Sequence, residues 1–189
     1  MLRYYITDRR TLGGVAPLNE NIERQILAGV DWIQIREKDL SARELLELGR
    51  RAVALAGAGR TRILIHSRMD VALAVGAHGI HLPSHSPPPS EYKRAAPHLI
   101  VGVSCHNRAE LVQAEQDGAD YAVLGPVFPP LSKQADGAVL GLDGFSRLAR
   151  SVRIPVMALG GNTQASISAC EQAGAAGVAG ISLFQGPTD

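Results

Sequence analysis

Cysteine is scarce: Cys105 and Cys170 are the two in 189 residues, with neither C-x-x-C spacing nor the density of a disulfide framework. Both are expected to be ordinary buried thiols. Aromatic residues amount to 4%, so aliphatic side chains must build the core. No apolar run approaches the roughly 18 residues that span a bilayer, and the opening MLRYYITDRR lacks the apolar stretch of a signal peptide. A cytoplasmic address is expected, with no membrane partner. Neither sign of charge dominates: 19 basic groups against 18 acidic leave +1, which gives no electrostatic case for nucleic acid or an anionic surface as partner. Linkers, charge blocks and low-complexity tracts are also lacking, so residues 1–189 read as one domain.

What is present is a rhythm. Short runs rich in Val, Ile and Tyr alternate with longer segments carrying Ala and Leu at helical spacing. Strands are predicted at Leu2 to Ile6, Trp32 to Arg36, Ile63 to His66, Gly79 to Leu82, Ile100 to Ser104, Tyr121 to Gly125, Pro155 to Leu159 and Gly177 to Ile181. Helices are predicted at Leu18 to Ala28, Ala42 to Ala56, Met69 to Val75, Pro89 to Ala96, Arg108 to Gln116, Gly144 to Ser151 and Gln164 to Ala173. Ser41, Asn107, Asp143 and Thr163 are the expected caps. Ala28-Gly29-Val30-Asp31 recurs in variants at Val75-Gly76, Asp117-Gly118 and Ala173-Gly174, each placing glycine where a helix ends and a strand follows.

Parallel strands must be covered on both faces or closed into a ring, and eight is a number at which the ring's interior fills with side chains. The expected fold is therefore an α/β (β/α)8 TIM barrel. An open doubly wound sheet is weaker, because no G-x-G-x-x-G follows the first strand. Eight residues follow the eighth strand, so the usual last helix is expected to be missing. That side would be bare unless another segment or a partner covers it, a hint of a homo-oligomer such as a dimer.

In such barrels the active site lies at the C-terminal strand ends. There the sequence puts Gln34, Arg36 and Lys38, then His66, Ser67 and Arg68, then His81, Ser84 and His85, Ser104 and His106, Ser132 and Lys133, Gly160 and Gly161, and Gly180 with Ser182. This face is cationic and rich in glycine. Gly160-Gly161-Asn162-Thr163 before a helix, with Gly180 and Ser182 on the next strand end, resembles a phosphate cradle built of backbone amides; a turn needed only for chain reversal is the alternative. An inward Arg36 suits a carboxylate or phosphate, or else a structural ion pair with Glu37 or Asp39. His106 at a strand tip can exchange protons near neutral pH, or be a hydrogen-bonded loop residue. No carboxylate stands beside His66, His81 and His85 at the strand ends, so no metal site is expected.

These phrases together are similar to those of the thiamine phosphate synthase superfamily: Ile33-Gln34-Ile35-Arg36-Glu37-Lys38-Asp39, Arg68-Met69-Asp70-Val71-Ala72-Leu73-Ala74, Gly79-Ile80-His81-Leu82, Val101-Gly102-Val103-Ser104-Cys105-His106, Gly118-Ala119-Asp120-Tyr121, Gly125-Pro126-Val127-Phe128-Pro129 and Leu159-Gly160-Gly161. Synthases of that superfamily carry aspartates that hold magnesium after the third and fourth strands; here those places read His66-Ser67 and Pro83-Ser84-His85-Ser86. The Thr-x-Thr-Lys segment after the sixth strand is reduced to Pro130-Leu131-Ser132-Lys133. The departures, with Leu82-Pro83-Ser84, resemble the thiazole tautomerase branch. That resemblance implies a cofactor-free isomerisation that aromatises a carboxythiazole phosphate, with His106 moving the proton. Gly160, Gly161, Gly180 and Ser182 would hold the phosphate, and Arg36, Lys38 and Lys133 the carboxylate. Gln34, His66, Ser104 and Ser132 would complete the substrate site. Two rivals remain: a magnesium-dependent synthase coupling a pyrimidine pyrophosphate to a thiazole phosphate, and a non-catalytic regulatory paralogue that binds such phosphates.

Overall fold

The computed structural model describes residues 1–129 and 139–186. Eight strands, β1 (Leu2–Ile6), β2 (Trp32–Ile35), β3 (Arg62–His66), β4 (Gly79–Leu82), β5 (Ile100–Cys105), β6 (Tyr121–Leu124), β7 (Val156–Leu159) and β8 (Gly177–Gly180), pair in parallel in chain order. β8 returns to β1, with Leu2 beside Gly177 and Tyr5 beside Gly180, and the ring is closed. The helices are α1 (Arg9–Leu12), α2 (Val15–Leu27), α3 (Ala42–Ala56), α4 (Met69–Val75), α5 (Pro89–Ala95), α6 (Arg108–Gln116), α7 (Gly141–Ala149), α8 (Ile167–Gln172, after a 3-10 turn at Gln164–Ser166) and α9 (Ser182–Gln185). The barrel expected from the alternating pattern is the fold observed. Among the described residues no helix is long and apolar enough to cross a membrane.

Strand alternation divides the apolar residues between two cores. Tyr4, Ile6, Leu64, Tyr121, Val123, Met157 and Ala179 fill the ring. The larger cluster, including Tyr5, Ile33, Ile65, Ile80, Val101 and Phe145, lies between ring and helices. Both cysteines are buried and free, as expected, and burial pushes the Cys105 thiol up to about 12. The ring holds large side chains because glycines stand opposite them. Tyr121 is in register with Gly102, where a Cβ would meet the Tyr121 ring at 1.9 Å.

Local signals explain most boundaries. Ser41 accepts from the Glu44 amide while the Glu44 carboxylate accepts from the Ser41 amide, the reciprocal box that starts α3. Asn107 caps α6 in the same way, accepting from Glu110. Asp143 does not cap: α7 begins earlier, at Gly141, and Asp143 lies in its first turn. At Thr163 the bond runs in the other direction, its amide donating to the Ser166 hydroxyl.

Two short elements were not expected. α1 is one turn, capped by Asp8 accepting from the Arg10 amide, and it carries Arg9 to the end of β2. α9, one turn directly after β8, lies against the β8–β1 seam. Its Phe184 is 2% exposed and packs on Tyr5 with ring centres 5.6 Å apart, while the buried Asn21 and Gln25 amides donate to its carbonyl. Of the two covers the sequence allowed for that side, another segment or a partner, a segment of the chain lies there.

Candidate active site

At the end of β2, the acidic neighbours of Arg36 are already engaged. Arg9 donates to Glu37 at 3.1 Å and, as a fork, to both Asp39 oxygens at 2.6 and 2.8 Å. Arg10 donates to Asp39 as well, and the Thr7 hydroxyl donates to Glu37 at 2.6 Å. The Arg9 guanidinium, then that of Arg10, holds the Asp39 carboxyl far below the usual range. Neither Arg36 nor Lys38 forms an ion pair among the described residues. The structural ion pairing considered for Arg36 thus belongs to Arg9, twenty-eight positions from Glu37 and invisible to local spacing. The Arg36 charge, and then burial, lowers the Lys38 ammonium. Two cations held side by side favour an anion between them.

Next to them, β3 ends at His66. A cavity of about 300 Å³ opens here, lined by Lys38, His66, Ser67 and Arg68 with Ile35 and Leu45. Ser67 adopts φ 59°, the left-handed conformation that side chains disfavour, at a strand end with its amide donating to the His81 carbonyl. Burial first, then Arg36 and Lys38, drives the His66 imidazole down to about 4. His81, 2% exposed, is driven to about 3 by burial, then by His66 and Arg36. Both rings are neutral at pH 7.

Neutral buried imidazoles make stability depend on pH. Unfolded, each ring protonates near 6.5; folded, each resists until about 4 or 3. Their depressed values contribute stability that is complete above 6.5 and is lost as pH falls through that window, by about 1.4 kcal/mol per pH unit for fully buried His81. The urea midpoint is expected to be lower at pH 5.0 than at pH 7.5, before the carboxylates titrate. Equal midpoints would contradict the burial of both rings as neutral groups.

A hydrogen-bonded chain joins several predicted residues inside the ring. Gln34, 1% exposed, meets His66 Nδ1 at 3.0 Å through Nε2 and accepts from the Tyr4 hydroxyl at 3.0 Å. The Tyr4 and Tyr121 hydroxyls are 2.8 Å apart. Tyr121 reaches His81 Nδ1 at 2.9 Å, and His81 Nε2 lies 2.8 Å from Ser104 Oγ. Gln34, His66 and Ser104 are thereby brought together. Tyr4 and Tyr121 were missed because a tyrosine in an apolar strand reads as core. The signal was available in strand parity, which turns Tyr4, Gln34, His66, His81, Ser104 and Tyr121 all inward.

His106 is outside this group. Its side chain is 58% exposed, and both its amide and Nδ1 lie 2.9 Å from the Glu110 carboxylate at the start of α6. Farther round the same rim, just past β7, Gly160 and Gly161 take φ 101° and 61°. A Cβ at Gly161 would meet the Pro129 carbonyl at 2.3 Å, and one at Gly160 would lie 2.7 Å from Pro126 Cα. Glycine is therefore required for the backbone of residues 125–129 to pack there, whatever else the turn holds. Buried Asn162, part of the same phrase, donates to the Ala158 and Ala179 carbonyls and ties this turn to β8. Gly180 ends β8 and exposed Ser182 begins α9. Ser132 and Lys133 lie outside the described residues.

Among the described residues there is no group of three His, Cys, Asp or Glu arranged to hold a metal. Asp70, beside the cavity, is held by Arg68 through bonds of 2.8 and 2.6 Å.

Comparison with known proteins points one way. The profile of the family described as thiamine monophosphate synthase matches residues 3–184. A protein of Aquifex aeolicus named putative thiamine-phosphate synthase 2 is 42% identical over 181 residues, 96% of both chains. Thiamine-phosphate synthase of Moorella thermoacetica is 38% identical over 186 residues, 98% of this chain and 89% of its own. The solved thiamine phosphate pyrophosphorylase of Pyrococcus furiosus superposes with a TM-score of 0.88 at 36% identity, covering 100% of this chain and 89% of the other. These findings overturn the expected tautomerase. That expectation rested on three short strand-end segments, whereas similarity to synthases runs through the whole chain. The proton-moving role given to His106 falls with it, and so does the notion of a carboxythiazole as substrate.

Proposed function

Because the chain belongs to the thiamine monophosphate synthase family, we propose that it is a thiamine-phosphate synthase, joining a pyrimidine pyrophosphate to a thiazole phosphate with release of pyrophosphate. The new bond joins the two heterocycles as the bond to the pyrophosphate oxygen breaks, so negative charge grows on the leaving group. Arg36 and Lys38 meet that charge. The observation that carries this is their lack of acidic partners among the described residues, Arg9 and Arg10 having taken Glu37 and Asp39. Preorganised cations aimed at developing charge need no rearrangement when the bond breaks.

The other residues take supporting roles in this reading. Gln34, His66 and Ser104 bind the reacting heterocycles. The amides near Gly160, Gly161, Gly180 and Ser182 receive the thiazole's phosphate, β7 and β8 being adjacent.

The family resemblance implies magnesium held by two aspartates. The donors at those places, His66, Ser67, Ser84 and His85, are imidazoles and hydroxyls, whereas magnesium prefers carboxylate and water oxygens in octahedral geometry. These residues do not fit that ion, and the charge of the leaving group is assigned to Arg36 and Lys38 alone. The test is direct: the purified protein, given the pyrimidine pyrophosphate and the thiazole phosphate in magnesium buffer, is expected to release pyrophosphate and form thiamine phosphate in equal amounts. No coupling under those conditions would overturn the reading.

A further inference from the structure

We propose that His66, Gln34, Tyr4, Tyr121, His81 and Ser104 form one hydrogen-bond chain of a single sense, in which His81 is a positioning residue that holds the Ser104 proton inward and leaves the Ser104 oxygen able to accept from a ligand. Only the consequence for substrate binding rests on the synthase reading; the chain itself does not.

The sense follows from proton counting along the chain. A hydroxyl has one proton and a neutral imidazole has one N–H. The Gln34 carbonyl oxygen can only accept, so the Tyr4 hydroxyl donates to it at 3.0 Å. Tyr4 has then used its proton, and the 2.8 Å contact between the two phenols is Tyr121 donating to Tyr4. Tyr121 in turn has none left for His81. The 2.9 Å contact is therefore His81 Nδ1–H donating to the Tyr121 oxygen. The remaining nitrogen of neutral His81, Nε2, carries a lone pair, and the Ser104 hydroxyl donates to it at 2.8 Å. At the other end the Gln34 amide nitrogen donates to His66 Nδ1 at 3.0 Å, which places the single His66 proton on Nε2.

Both Tyr4 and Tyr121 are fully buried, so no water can supply a substitute partner and break the sequence of donors. The chain sets the chemistry at each end. Ser104 offers lone pairs, which suits an amino or ring N–H of a heterocycle. His66 offers an N–H from Nε2, which makes no hydrogen bond among the described residues and suits an anionic oxygen.

The experiment measures histidine tautomers by ring-nitrogen chemical shifts in the full-length, nitrogen-15-labelled protein at pH 7.5 without substrate. His81 is expected as the Nδ1–H tautomer and His66 as the Nε2–H tautomer. The decisive variant is Tyr4→Phe, whose ring touches His81 through no hydrogen bond. With Tyr4 no longer accepting, Tyr121 keeps every buried proton paired only by donating to His81 Nδ1. His81 should then switch fully to Nε2–H, while His66 stays as it was. Tyr121→Phe, which leaves Nδ1–H without an acceptor, should cause the same switch and serves if Tyr4→Phe does not fold. Mixed tautomers in the parent protein, the opposite pair of tautomers, or an unchanged His81 in the folded variants would overturn the proposal. None of these readouts depends on coupling activity, so failure of the synthase reading would be seen separately.

Discussion

Replacing Arg36 by alanine is expected to lower kcat/KM for coupling by about 10² to 10³, the loss typical of removing one preorganised donor to a developing oxyanion. The strand presents this guanidinium just past β2, its amide donating to Thr7 Oγ1 at 2.9 Å, so its backbone is tied to the end of β1. Among the described residues a structural ion pair does not account for it, because Arg9 and Arg10 occupy Glu37 and Asp39. What remains is a cation that depresses Lys38, His66 and His81 and gains nothing from them. Such an arrangement is unfavourable until an anion enters. Arg36→Lys should retain part of the rate, because charge survives while the planar fork does not. In the alanine variant the His66 imidazole should also titrate at higher pH than in the parent, by NMR. Unaltered kcat/KM would remove Arg36 from the reaction.

Gly102→Ala is expected to destabilise the fold by about 3 kcal/mol or more, at or beyond the upper end of ordinary overpacking. The added methyl would fall 1.9 Å from Tyr121 Cζ and 2.2 Å from its Cε1. The ring has nowhere to go: Trp32 stands 4.7 Å away on ring centres, and its hydroxyl is held by Tyr4 and His81. Urea unfolding monitored by far-UV circular dichroism would read the change. Since the cost comes from one contact, adding Tyr121→Ala to the variant should cost less than the sum of the two single changes. A Gly102→Ala protein as stable as the parent would mean that the ring interior is not packed as described.

How much of this was legible in the sequence varied with the range of the interactions. α3, α4 and α6 begin and end where spacing and caps placed them, because those signals are local. The helix exits at Gly29, Gly76, Gly118 and Gly174 all take positive φ, as their recurring phrase implied. α1 was missed because one turn of polar residues has no period to detect. The fate of Glu37 and Asp39 was missed because Arg9 reaches them only once β1 and β2 are paired. Likewise, Tyr4 and Tyr121 lie 117 positions apart and meet only through ring closure. Gly160 and Gly161 were singled out as a phosphate cradle, but the sequence could not reveal that the chain's own backbone at residues 126 and 129 already demands glycine there. Family identity was legible in the shared phrases. The branch was not, since three short segments at strand ends weighed less than likeness along the full length.

The seam between β8 and β1 has a consequence for biogenesis. Tyr5 donates to Gln185 across 180 positions of sequence, and Gln185 also accepts from the Asp8 amide and donates back to the Asp8 carbonyl. On a ribosome the first strand therefore emerges long before its second neighbour has been translated. Until then the nascent chain is a ribbon with two unpaired edges, the form most prone to sticking to other strands. Only once β8 has emerged can it pair with β1 and turn that ribbon into a cylinder without edges.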